Sequence, residues 1–134
     1  RNPMKLTHTI LATTLACLSL PRFASEDPNR YLKDFIAYFR SVRTPVVIAL
    51  CATIVDDKEA FEQTATKWLQ ANAESIERGK NIALSRMTGE RQLDDSNKAM
   101  LAELKDEFAK DAQDGKVSFC ADARKSLTLQ SQRN

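Results

Sequence analysis

Glycine occurs only three times in 134 residues, at 79, 89 and 115. No stretch alternates apolar and polar residues as a half-buried strand does. Apolar residues instead recur three and four positions apart through most of the chain after residue 26. So few turn-forming residues and so much helical periodicity predict an all-α chain, a compact bundle of about five helices with short connections between antiparallel neighbours.

The first 25 residues read differently from the rest. Met4-Lys5 is a short basic start, Leu6 to Leu20 is uncharged and mostly apolar or small, and Pro21-Arg22-Phe23-Ala24-Ser25 closes the run. That order matches a secretory signal peptide. It is too short and too rich in threonine for a membrane span, which needs about 20 apolar residues. Cleavage after Ala24 places Arg22 at the −3 position and cleavage after Ser25 places Phe23 there, so neither site has the preferred small residue. An uncleaved anchor is the alternative. Lipidation at Cys17 is a further one, although Thr14 stands where lipoprotein signals usually carry leucine. Arg1-Asn2-Pro3 precede an initiator-like Met4 and are set aside. The expected organisation is therefore residues 1–25 as signal and upstream sequence, with residues 26–134 as one helical domain.

Removing that segment changes what the chain can do. Lys and Arg fall from 20 to 17 with the loss of Arg1, Lys5 and Arg22, while all 18 acids remain, so the net charge moves from +2 to about −1. A nucleic-acid binder needs a basic stripe to release counterions, and this chain is not expected to be one. The sole histidine, His8, goes with the signal. Of three cysteines, Cys51 and Cys120 remain. In an oxidising compartment such a pair is most simply a disulfide, the alternative being two buried thiols. The bond closes a loop of about 70 residues and contributes about 4 kcal/mol by chain-entropy arithmetic.

The helices can be read in order. Asp27 followed by Pro28 is a start signal. Leu32, Phe35, Ile36, Phe39 and Val42 then form one apolar face. Thr44-Pro45 repeats the start signal, and Val46 to Val55 is apolar nearly all round, as a central buried helix is. Its β-branched residues also permit a buried strand, for which no partner strand exists. Asp56-Asp57 ends this element and caps the next, with Asp56 and Glu59 resembling a capping box. Phe61, Ala65, Trp68, Asn72, Ile76, Ala83 and Met87 follow helical steps, so 57–87 reads as one helix of about 45 Å. Gly79 within it marks a break, a kink or a close crossing. Thr88 to Asp95 reads as a loop, with Asp95 or Ser96 capping a helix striped by Met100, Leu101, Leu104, Phe108 and Ala112. Asp114-Gly115 is a stop signal. Val117, Cys120, Ala123 and Leu127 line the last helix, and Gln130 to Asn134 is a polar tail.

Chemistry is limited by composition. Without histidine no Ser–His–Asp or Cys–His site can be assembled, and a haem held by a proximal histidine is excluded. Two distant cysteines make a poor zinc site, there is no Cys-x-x-Cys pair, and no glycine-rich phosphate loop exists. No cofactor, metal or catalytic residue is assigned. Paired carboxylates remain, at Asp56-Asp57, Asp94-Asp95 and Glu103/Glu107, and could in principle supply an acid and a base as in glycosidases. The aspartate pairs fall where caps belong, and Glu103 and Glu107 lie among Lys98, Lys105 and Lys110 on a solvated face. Binding is the better expectation. Tyr31, Tyr38 and Arg40 are residue types enriched at hot spots, and Phe61 and Trp68 would line a groove or pocket if they are not core.

The order of Ile48-Ala49-Leu50-Cys51, Lys67-Trp68-Leu69 and Ser118-Phe119-Cys120 behind a signal peptide resembles short uncharacterised bacterial periplasmic helical proteins with one cysteine pair. More loosely, it is similar to periplasmic immunity proteins that neutralise cell-wall amidase toxins. The resemblance implies an exported, non-enzymatic protein that binds or inhibits another periplasmic protein, and it carries no individual functional residue. A small-molecule or lipid carrier with a cavity near Phe61, Trp68 and Phe108 is the second expectation, and a carboxylate hydrolase the third. A homodimer through the aromatic face of the first helix is a further expectation, and no membrane span is expected after signal cleavage.

Overall fold

A computed structural model describes residues 27–131. The signal-peptide reading, His8 and Cys17 lie outside the described residues. Five helices follow one another: α1 (Pro28–Cys51), α2 (Lys58–Ala71), α3 (Ala73–Ser85), α4 (Glu90–Lys110) and α5 (Gln113–Ser131). No strand occurs among the described residues. None of these helices is long and apolar enough to cross a membrane.

Helix α1 starts as its sequence dictates. Asp27 accepts a hydrogen bond from Asn29 N–H at 3.0 Å, and Pro28 occupies the first turn. It then runs straight through Pro45, where two helices were expected. An internal proline removes one hydrogen bond and costs about 3 kcal/mol. Packing on both sides of it outweighs that cost. The first half of α1 lies on α3, with Tyr38 buried beside Ala83. The second half supplies Val47 and Cys51 to a cluster with Phe61, Trp68 and Leu104. The Thr44 hydroxyl also donates to Arg40 O at 2.7 Å, a polar bond within the turn that leads into the proline. The segment 46–55 is consequently not a separate buried helix, and Ala49 and Thr53 are exposed.

The segment 57–87 divides at Asn72 rather than at Gly79. Asn72 is buried, and its side-chain amide donates to Trp68 O at 2.8 Å, satisfying a carbonyl at the end of α2. The cap of α2 is Asp57, which accepts from Ala60 N–H at 2.9 Å. Gly79 instead marks the close approach of α1 and α3. A Cβ there would lie 2.7 Å from the Asp34 carbonyl carbon and 2.8 Å from Tyr38 Cβ.

Two other boundaries move. Helix α4 begins at Glu90, so neither Asp95 nor Ser96 caps it and Asp94-Asp95 lies inside a helix. Gly89 takes the cap position with φ 135°, a conformation that a side chain makes costly. The early start brings in Leu93, which is buried with Tyr38 and Ala83. Asp114-Gly115 does not stop a helix but opens α5, because the chain turns earlier, at the extended Asp111. Cys51 and Cys120 are joined by a disulfide that ties the end of α1 to α5. Both sulfurs belong to the buried cluster with Phe61 and Trp68.

Candidate binding cleft

The contact with α3 decides which side of α1 meets solvent. Asp34, Ala37 and Tyr38 turn inward. Asp34 receives Arg78 Nε at 2.7 Å and Nη2 at 3.1 Å, together with the Ser75 hydroxyl. The Arg78 hydrogen bond, helped by Ser75 and the nearby arginine charges, holds the Asp34 carboxyl below the usual carboxylate range against the opposing effect of burial. This rotation leaves Leu32 at 56% and Ile36 at 47% exposure, although both were expected in the core. At 100° per residue Leu32, Lys33, Ile36, Arg40 and Arg43 fall within one sector of the helix. That sector carries three cations and no acid.

Beside it, α1 and α5 enclose a cleft of about 390 Å³. Phe35, Ile36, Phe39 and Val47 line it from α1, and Phe119, Ala123 and Leu127 from α5. Arg40 and Arg43 lie along one wall, with Asp122 and Ser126 on the other. The floor is fixed by ring packing: Phe35 meets Phe39 edge-on at 4.8 Å, and Phe119 meets Phe108 at 5.5 Å. The Arg40 guanidinium lies 5.7 Å from the centre of the Trp68 ring. Burial, and then the neighbouring Arg43 charge, work against the Arg40 cation.

The residues singled out from sequence separate into two groups. Arg40 reaches the cleft. Tyr31 is half-buried under Arg86, 5.1 Å from its ring. Tyr38 is buried, and its hydroxyl accepts from Asn97 at 2.9 Å, so it ties α1 to α4. Phe61 and Trp68 are 0% and 1% exposed and pack around the disulfide. They form part of no surface, and Phe108 does not line the cleft. Asp56, Asp57, Asp94, Asp95, Glu103 and Glu107 are all exposed. Among the described residues no three His, Cys, Asp or Glu side chains gather as a metal site would require.

Sequence reasoning missed most of the cleft. The recurrence of Ile36, Arg40 and Arg43 on one helical face was readable. The walls from α5 come from some eighty positions further along and became visible only once the helices were placed. A second, polar recess of about 690 Å³ lies where α1 passes the α2–α3 junction. Its Arg30, Lys33 and Arg78 are balanced by Asp27, Asp34 and Glu74, and its central acid is already paired. Comparison with known proteins found no matching family model, no matching curated protein and no matching solved structure.

Proposed function

We propose that this chain is an exported, non-enzymatic helical protein of the bacterial periplasm that binds or inhibits another protein there. The exposure of Leu32 and Ile36 beside an apolar cleft carries the reading. Apolar residues grouped on a surface mark sites of interaction, and here the exposed Arg43 stands on the same helical sector as the face. The complementary partner presents an apolar helix flanked by acids, laid along α1 as helix-in-groove complexes are. The export reading agrees with the Cys51–Cys120 bond, since such bonds persist in oxidising compartments. The non-enzymatic reading draws on a mature chain that would lack histidine once the signal is removed, and on paired carboxylates that are exposed on the surface.

Capture from periplasmic extract with the oxidised protein as bait tests this, with Leu32→Asp as control. Leu32 does not line the cleft, so its replacement alters the outer ridge alone. A specific partner retained by the parent and lost by Leu32→Asp is expected. No specific partner, or one held equally by both, contradicts the proposal. Self-association lost in the same variant would replace the outside partner by a second copy of the chain.

A further inference from the structure

The ridge at Leu32 and Ile36 has a cation at its edge that belongs to a different helix. Arg86 ends α3 and is exposed. Its guanidinium lies 5.1 Å from the centre of the Tyr31 ring and 5.2 Å from that of Phe35. Those rings are four positions apart on α1, and Leu32 and Ile36 follow them about 100° round the helix. Arg86 therefore stands beside the ridge, on its α3 side. Among the described residues no acid or carbonyl takes up its N–H groups, and its side-chain partners are the two rings. A cation–π contact leaves those donors free to grip a carboxylate in fork geometry. Two rings also hold the long side chain in place, so less freedom is lost when it binds. Tyr31 thereby gains a role, as one of the two supports of Arg86.

We propose that Arg86 is the carboxylate-reading residue of the α1 face, and that the partner brings an Asp or Glu beside the apolar residues that cover Leu32 and Ile36. This rests on the reading of that face as a protein-binding surface and adds the group that selects the partner. Arg86 lines neither of the two recesses described above, so what reaches both it and the ridge is another surface and not a small molecule. An amphipathic helix is such a surface, with apolar residues and a flanking acid on neighbouring turns. A second copy of the chain fits less well. The exposed charged residues of α1 are Arg30, Lys33 and Arg43, all basic, and a twofold pairing of α1 with itself sets like charges together.

Selection from a displayed library of amphipathic helices about 18 residues long, with the oxidised, purified chain as target, tests the proposal. The selected helices are expected to carry Asp or Glu beside their apolar stripe. For the strongest binder, replacing that acid by its amide should weaken binding to the parent about tenfold, as the loss of a charge-assisted hydrogen bond does. Arg86→Gln should bind the acid and amide forms equally, and Arg86→Lys should keep only part of the preference, because an ammonium has no fork. A role confined to holding α3 on α1 would lower the stability of Arg86→Gln and leave its preference for the acid intact. That result overturns the proposal, as do a library that yields no binder and binders that carry no acid. A helix lost by Leu32→Asp yet held equally by the parent and Arg86→Gln keeps the face as a binding surface and refutes the role of Arg86 alone. Binders indifferent to both variants contradict the face itself.

Discussion

Gly79 gives the sharpest test of how α1 and α3 are held. In an ordinary helix interior, replacing glycine by alanine stabilises by about 1 kcal/mol. At Gly79 the added Cβ meets the carbonyl of Asp34, with the Asp34 carbonyl carbon at 2.7 Å and Tyr38 Cβ at 2.8 Å. The obstacle is backbone in the middle of α1, so relief requires the two helices to separate. Separation loosens Tyr38, Ala83 and Leu93, and lengthens the bonds from Arg78 and Ser75 to Asp34. Overpacking of this kind costs about 1–3 kcal/mol, and a rigid obstacle places it at the upper end. After subtracting the propensity gain, Gly79→Ala should destabilise by about 2 kcal/mol. Gly115 provides the internal control. There the atoms nearest the new Cβ belong to the side chain of the exposed Asp111, which can swing aside at the cost of its bond from Ala112 N–H. Gly115→Ala should therefore be neutral or stabilise by up to about 1 kcal/mol. Urea unfolding followed by helical circular dichroism, with the disulfide intact, measures both. Equal effects of the same sign, or a more stable Gly79→Ala, would refute the close-crossing explanation.

Two further outcomes follow from the buried polar contact and the disulfide. The folded pKa of Asp34 lies below its unfolded value of about 3.9. Its contribution to stability is therefore complete above that value and is lost as pH falls through the folded pKa. The urea midpoint should drop more steeply below about pH 4 in the parent than in Asp34→Asn, and parallel curves would remove this carboxylate from the account of acid stability. The Cys51→Ala/Cys120→Ala double variant should lose about 4 kcal/mol, read as a lower urea midpoint. A loss below about 1 kcal/mol would show that packing around Phe61 and Trp68 alone sets the geometry.

Local chemistry made several parts of the fold legible in the sequence. Asp27-Pro28 announced the start of α1, the shortage of glycine announced a helical chain, and Cys51 and Cys120 were paired by elimination. Where tertiary packing overrides a local rule, the reading failed. Thr44-Pro45 has every mark of a helix start, yet both halves of α1 are anchored to neighbours and the helix continues. Asn72 sat on the apolar stripe of a long helix and gave no sign that its amide would satisfy Trp68 O. Leu32 and Ile36 belonged to a good apolar stripe. The contact at Gly79 and the pairing of Asp34 with Arg78 turned the neighbouring face inward instead. The cleft was the least legible feature, because its walls come from opposite ends of the described chain and no periodicity within one helix encodes their distance.

The export proposal bears on the disulfide, on whether His8 is retained and on the choice of partner together, so the intact mass of the protein recovered from its producing cell tests the central claim most directly. Measured with and without reduction and alkylation, a mass beginning near residue 25, with no free thiol until the protein is reduced, is the predicted result. A full-length mass with free thiols at Cys51 and Cys120 would contradict it, and the periplasmic partner would have to be abandoned.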